Sequence, residues 1–383
     1  MIFHICLFII IFAFLVVLNY PLLTIVFGAK RKLDFSSVKT FPRVSILKPI
    51  KNSDDELEHN LETFFQLDYP DFEIIFGIDS GEEKTYGILD KLKTKYPKID
   101  VKIIPVGQKK VLNPKVETLM AISKDCSGML YWISDANTRV ENDTLKNLVH
   151  EYATRGAKIV FSPVRGMGSK TFGSIVENAY LSFYVSGNII GAWKYIKKPV
   201  IIGKSMLVEK AALERLGGFE HFKQFLAEDQ VMGDTFRKNN MIVSTNLTWI
   251  TNFNSHSSLR SFCSRISRWA KMRYRVSKFF YLGEIFSYPV GLSLIFMIFL
   301  GSEGIYLFAG SVVLKVFLEY LNFFFIDTYD RRKLWVILMF PFCVLTKDVL
   351  MFFIYFLPFF NSRVTWRGKH INIGKDSKIF IEG

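Results

Sequence analysis

Cysteine is scarce in this chain: four in 383 residues. Cys6 and Cys343 sit in apolar runs, and Cys126 and Cys263 have neither the spacing of zinc ligands nor that of a redox pair. That argues against a disulfide framework and suits a domain facing a reducing cytosol. Basic residues are missing ahead of the first apolar run, where a cleaved signal peptide would carry them. Internal repeats and low-complexity linkers are absent, which leaves no solenoid or tethered-tail reading. No nucleic-acid-binding module accompanies the net charge of +14. An anionic sugar nucleotide or lipid suits that charge better. The GxxxxGK spacing of a nucleoside triphosphatase is missing in front of Gly203-Lys204-Ser205.

What the chain does have is apolar sequence at both ends. Residues 2–27 are almost wholly apolar and long enough to span a bilayer, and Lys30-Arg31-Lys32 come directly after them. That order predicts a retained anchor over 1–28 with its N-terminus outside and the following domain in the cytosol. Apolar sequence returns in a membrane region over 285–360, with two spans, or one span and a hairpin, at 288–301 and 304–326 and the basic triplet Arg331-Arg332-Lys333 after them. Residues 334–360 carry Lys347 and Asp348 mid-run, and a third simple span would put the basic tail outside. They are therefore read as re-entrant or interfacial, with a polar tail over 361–383.

Between these ends, residues 42–280 read as one cytosolic α/β domain. Strands are expected at 43–47, 72–78, 100–106, 129–134 and 158–162. Helices are expected at 54–67 with Ser53 or Asp54 as cap, 83–96, 115–124 behind Pro114, and 142–154. Such alternation predicts a mostly parallel sheet with helices on both faces. Ligands of such sheets bind beyond the carboxyl ends of the strands, a rule that puts Lys48, Asp79 and Asp135 on one rim. Residues 170–196 mix aromatic and polar side chains, as a core helix or an amphipathic one does. A strand pair or bent strand is expected over 199–210, a helix from Glu228-Asp229 to Lys238, and a strand over 241–250.

Several residues on this frame can carry chemistry. Asp135 and Asn137, two apart after a strand, can hold Mg²⁺ or Mn²⁺ through oxygen, although Asp and Asn also favour plain turns. Asp79 can accept bonds from a nucleobase or ribose, or cap a loop. Lys48, Lys110 and Lys115 can neutralise phosphates, and His256 can add a metal ligand. Glu228-Asp229 is an ordinary acid pair at a helix start. Arg265, Arg268 and Trp269 read as a basic helix with an interfacial tryptophan.

Taken together, these segments resemble the ceramide glucosyltransferase family, membrane relatives of the family 2 GT-A glycosyltransferases. The likeness runs through VSILKPIKNSDDELEHNLETFFQLDYPDFEIIFGI (44–78), KKVLNPKVETLM (109–120), YWISDANTRVENDTL (131–145) and IIGKSMLV (201–208). It continues through AEDQVMG (227–233), SRISRWAKMR (264–273) and VTWRGK (364–369). The resemblance implies three acidic sites followed by a (Q/R)xxRW motif. The first acidic site falls on Asp79 or the neighbouring Ser80. The second falls on Asp135, as metal and diphosphate ligand, and the third on Asp229, as general base. The last motif is Arg265, Arg268 and Trp269. Lys48, Pro49, Asp79, Lys115 and Asp135 are thereby assigned to the donor nucleotide. Asn137 departs from the second aspartate of many GT-A enzymes, the chain is one residue shorter near Leu112-Asn113, and Glu228 has no assigned role. The activity implied is inverting transfer of a sugar from a UDP-sugar to a membrane lipid hydroxyl, most simply from UDP-glucose to ceramide, with a divalent metal. Other lipid acceptors (hopanoid, diacylglycerol), a processive polysaccharide synthase and an inactive sugar-nucleotide-binding protein are the alternatives.

Overall fold

The computed structural model describes every residue except 29–32, 39, 52–55, 80, 108–110, 328, 367–368 and 382–383. Lys30-Arg31-Lys32, the caps Ser53 and Asp54, Ser80 and Lys110 lie outside the described residues. The chain divides into two units, one of residues 30–164 and 192–253, the other of 1–29, 165–191 and 254–383.

The first unit is built on a seven-stranded sheet. The strands up to residue 253, in chain order, are β1 (Val44–Ile50), β2 (Phe72–Asp79), β3 (Asp100–Val106), β4 (Leu130–Ile133), β5 (Thr138–Arg139), β6 (Ile159–Phe161), β7 (Val164–Met167), β8 (Met206–Glu209), β9 (Val243–Thr245) and β10 (Ile250–Phe253). The large sheet runs β3-β2-β1-β4-β8-β6-β9. β1 pairs parallel with β2 and β4, β2 with β3, and β6 with β9; β8 is antiparallel to both of its neighbours. β1 and β2 are buried almost end to end, as strands covered on both faces must be. The helices Leu57–Phe65, Glu83–Lys95, Pro114–Ile122 and Thr144–Arg155 make the crossovers.

Two expectations for this unit change. The stretch 199–205 is not a strand; only Met206–Glu209 is. Residues 241–250 do not form one strand but hold β9 and the start of β10, separated by a turn in which the Thr248 amide donates to Asn246 Oδ1.

The other unit is mainly helical. The helices Ile2–Gly28, Ser302–Ile326 and Leu334–Phe360 hold the spans long and apolar enough to cross a membrane, of 25, 25 and 27 residues. Lys278–Ser287 and Pro289–Leu300 form a bent pair at 69°. Leu334–Phe360 is one continuous helix despite Pro341 and Pro358, without the break that a re-entrant loop requires. Lys347 and Asp348 do not interrupt it because they are paired: Lys347 Nζ with Glu319, and Asp348 with Lys315 at 2.7 Å. Tyr20 Oη meets Ser287 Oγ at 2.7 Å and Asn322 Nδ2 donates to Thr24 Oγ1 at 2.7 Å, which ties the first helix to the later ones. The tail expected as merely polar forms a three-stranded antiparallel sheet of Arg363–Trp366, Lys369–Ile373 and Ile379–Ile381.

Candidate active site

The carboxyl end of β4 delivers Ser134 and Asp135 to the sheet rim, and β5 anchors the turn that comes next. Thr138 pairs with Asn252, and the Phe253 amide donates to the Asn137 carbonyl at 2.9 Å. Beneath this turn lies Lys48. Its ammonium is fully buried, donates to the Asp135 carbonyl at 2.6 Å and lies 3.7 Å from the centroid of the Phe64 ring. Burial pushes its pKa well down. Lys48 is thus placed as a support for the Asp135 turn, with no open face toward a phosphate. Pro49 stands beside it on β1, level with Gly77, and Asp79 ends β2 level with Val106.

The sequence Asn113-Pro114-Lys115 supplies the next piece. Asn113 caps the helix Pro114–Ile122, its Oδ1 accepting from the amides of Lys115 (3.0 Å) and Val116 (3.3 Å). Lys115 is thereby held in the first turn, and its Nζ reaches Asp135 Oδ1 at 3.1 Å, Glu228 Oε1 at 3.1 Å and the Gly203 carbonyl at 3.3 Å. Asn113 Nδ2 donates to Glu228 Oε2 at 3.1 Å. Glu228, to which the sequence assigns no role, joins the two.

Asp229 lies next to it in the first turn of the helix Glu228–Lys238. Its Oδ1 accepts from the Gln230 amide at 2.8 Å and its Oδ2 from the Gly203 amide at 2.5 Å. Gln230 holds the 199–203 stretch from the other side, accepting from the Ile201 amide and donating to the Pro199 carbonyl. A Cβ on residue 203 would stand 2.9 Å from Lys115 Nζ and 3.1 Å from Asp229 Oδ2, so a larger residue here would push on the Lys115 and Asp229 side chains. Lys204 follows, its Nζ 3.3 Å from Asp135 Oδ2 and 3.2 Å from Asn137 Oδ1.

The charges set the protonation states. Burial raises the Asp135 carboxyl, but Lys115 and Lys204 outweigh it and hold it well below the usual carboxylate range. Lys115 is raised, since Asp135, Glu228 and Asp229 outweigh its burial. Asp229 goes the other way: burial, reinforced by Glu228, pushes it up to about 6. Lys115 and Lys204 against Asp135, Glu228 and Asp229 leave these groups with one excess negative charge.

The resemblance implies a divalent metal, and the donor set can be tested for it. Asp135 Oδ2 and Asn137 Oδ1 converge on a single point, now taken by the Lys204 ammonium. Among the described residues no group of three His, Cys, Asp or Glu side chains could complete a protein-only shell, and His256 is exposed. Two oxygens fit a hard cation whose remaining ligands are phosphate and water. The excess negative charge also favours bringing an anionic diphosphate in with a cation. The residues present therefore fit as a partial shell.

The remaining predicted residues lie in the helical unit, on the helix Leu259–Val276. Arg265 is paired with the buried Glu177, Arg268 is half-buried, and Trp269 faces Tyr180 with ring centroids 6.1 Å apart. Sequence reasoning missed Asn113, Glu228 and Lys204 as members of the cluster. The one signal for Lys204 was its place in Gly203-Lys204-Ser205, and that for Glu228 its place beside Asp229 at a helix start.

The sequence model of glycosyl transferase family 21 matches residues 8–379. Among curated proteins, ceramide glucosyltransferase 1 of Caenorhabditis elegans is 28% identical over 240 residues, 61% of this chain and 50% of that protein. Ceramide glucosyltransferase 3 of the same organism is 27% identical over 269 residues, 67% of this chain and 56% of that protein. The chain thus spans about half the length of these relatives. Among solved structures, a mannosyltransferase of Pyrobaculum calidifontis in complex with GDP-mannose and Mn²⁺ is similar in fold. It is 15% identical, with a TM-score of 0.51, over 91% of this chain and 99% of that one. The mostly parallel sheet is of GT-A type. With nearly its whole length matched, the chain belongs to glycosyl transferase family 21.

Proposed function

We propose that this protein is an inverting glycosyltransferase that moves a sugar from a UDP-sugar to the hydroxyl of a membrane lipid, most simply from UDP-glucose to ceramide, giving β-glucosylceramide. The ceramide glucosyltransferases among its relatives support the choice of sugar and lipid. The observation that carries the chemistry is Asp229: a carboxyl raised to about 6, beside the Lys115-Asp135 pair. At neutral pH it is ionised yet more basic than an ordinary carboxylate, as a general base for an alcohol should be. Its Oδ2 keeps its place through the Gly203 amide.

In this reading the acceptor oxygen attacks the anomeric carbon from the face opposite the leaving UDP. Its proton passes to Asp229, the new C–O bond forms as the sugar–phosphate bond breaks, and inversion results. Lys115 and Lys204 supply positive charge where the diphosphate leaves. A divalent cation held by Asp135 and Asn137 would add Lewis-acid stabilisation of that leaving group. The family pattern adds Arg265 and Arg268 as fork-shaped phosphate donors and Trp269 as a wall for sugar or acceptor. The domain is placed in the cytosol by the charge pattern alone.

The test uses membranes containing the full chain, labelled UDP-sugars and candidate lipids, with the product identified by mass. A glucosylated lipid made by the parent and lost in Asp229→Asn, with UDP binding kept, is the expected result. Unchanged transfer in Asp229→Asn refutes the assigned base.

A further inference from the structure

Three ammonium groups surround Asp135, and they are not equivalent. Lys48 lies buried under the turn and donates to the Asp135 carbonyl at 2.6 Å. Lys115 reaches Oδ1 at 3.1 Å but is shared with Glu228 and the Gly203 carbonyl. Lys204 bridges the two oxygens that fit a metal, 3.3 Å from Asp135 Oδ2 and 3.2 Å from Asn137 Oδ1.

The fold delivers Lys204 to that point. Its amide donates to the Ile202 carbonyl at 2.7 Å, which turns the chain sharply at Gly203. Asp229 holds the residue before it through the Gly203 amide, and Trp132 Nε1 holds the residue after it through Ser205 Oγ at 2.9 Å. Ser205 is fully buried and leads directly into β8. The backbone is fixed on both sides, while the four-carbon stem leaves the ammonium able to swing. The Asp135 side chain is 32% exposed, so its carboxylate can be reached from solvent.

A hard cation such as Mg²⁺ sits about 2 Å from its oxygen ligands and cannot share these two oxygens with an ammonium. Taking the site means expelling Lys204 from its carboxylate. A bare ion gains little in return: one carboxylate that already serves Lys115, and one neutral amide oxygen. An ion arriving with a diphosphate gains more. The phosphate oxygens add to its shell and give the displaced ammonium a new anion.

We infer that Lys204 is a resident cation that closes the Asp135-Asn137 pair to a free divalent ion and yields it to an ion arriving with the diphosphate of the donor. Lys204 thereby couples metal and nucleotide, each raising the affinity of the other by the same factor. The inference rests on the reading of Asp135 and Asn137 as the donor site.

The test measures Mn²⁺ binding in place of transfer. The full chain in phosphatidylcholine nanodiscs, which add no net charge, is titrated with Mn²⁺ with and without UDP. Free ion is read from its electron paramagnetic resonance signal, with protein-free nanodiscs correcting for Mn²⁺ held by UDP. Without UDP, Lys204→Met should bind Mn²⁺ about tenfold tighter than the parent, because the stem stays and the charge goes. Lys204→Arg, which keeps the charge, should bind as the parent does. With UDP present the parent and Lys204→Met should nearly agree, so the gain that UDP gives Mn²⁺ shrinks about tenfold in Lys204→Met. Adding Asp135→Asn to Lys204→Met should abolish the tighter binding.

Equal Mn²⁺ affinity of the parent and a folded Lys204→Met without UDP overturns the inference, as does a gain that survives Asp135→Asn. Tight binding in the parent that ignores UDP and is lost in Asp135→Asn refutes the inference and leaves the donor-site reading standing. Absence of Mn²⁺ binding in every form, even with UDP, refutes both. The expected shifts without sugar transfer from any UDP-sugar refute the transferase reading and leave Lys204 assigned.

Discussion

Substituting Glu228 with glutamine isolates the electrostatics of the proposed base. The Asp229 carboxyl is carried from 3.8 to about 6 by burial first and Glu228 second, against the pull of Lys115 and the amides of Gln230 and Gly203. Glu228→Gln removes the second cause and leaves the first. It also takes from Lys115 one of its carboxylate partners, at 3.1 Å, so that the ammonium's effect on Asp229 is not weakened. The acid limb of kcat/KM should therefore fall by on the order of one unit. It should still stay above 3.8, because burial is unchanged. At pH 5, about one-tenth of Asp229 is ionised in the parent and about half in the variant, so the ratio of the rate at pH 5 to that at pH 7.5 rises about fivefold. The assay is kcat/KM for sugar transfer between pH 4.5 and 8.5 in nanodiscs. The stability sign follows from the same shift. A raised carboxyl contributes stability that is present below its unfolded value and lost as pH rises through about 6, so Asp229's contribution falls across that window and falls less in Glu228→Gln. An acid limb that stays at 6 or moves upward refutes the assignment.

Asp135→Asn leaves Lys115 and Lys204 without their shared carboxylate. Because that side chain is 32% exposed, the expected loss is about 2 kcal/mol in thermal melting, below the range for a fully buried pair, together with loss of transfer. Lys204→Ala should weaken UDP binding about tenfold in calorimetry, or about 1.4 kcal/mol, through one lost phosphate cation. Asp348→Leu takes from Lys315, whose side chain is 2% exposed, its partner at 2.7 Å and leaves it Glu319 at 3.3 Å, already shared with Lys347, and should cost about 3 kcal/mol. The double variant Lys315→Met/Asp348→Leu should recover most of that loss in the same melting assay.

The sheet was legible because its signals are local. VSILKPI and FEIIFGID are apolar on both faces and end at polar turns, and the structure pairs them in parallel, Val44 opposite Phe72. The antiparallel β8 was not legible, since four largely buried residues carry no direction. Residues 199–205 look like strand by composition, yet Gln230 claims the Ile201 amide and Asp229 the Gly203 amide before any strand can. Those donors and acceptors are 26 and more residues apart, beyond any periodicity. The same distance hid Glu228, whose partners are Asn113 and Lys115. In Leu334–Phe360, Lys347 and Asp348 look like a break in an apolar run because their partners, Glu319 and Lys315, belong to another helix.

Asp229 gives the sharpest case. Its position in the chain marks it only as an acid in a first helical turn, where a carboxylate should be stabilised and its pKa lowered. The structure raises it, because the cleft buries it and Glu228 stands beside it. Lys115, the cation that acts on this acid cluster, is drawn to Asp135 and Glu228 at 3.1 Å each and to the Gly203 carbonyl, and lowers Asp229 by less than burial and Glu228 raise it. A base held above the usual carboxylate range therefore follows from burial first and from Glu228 second, opposed in part by a lysine divided among three acids. Because the acids come from two separate segments and the lysine from a third, the division arises only when the sheet and its rim are folded.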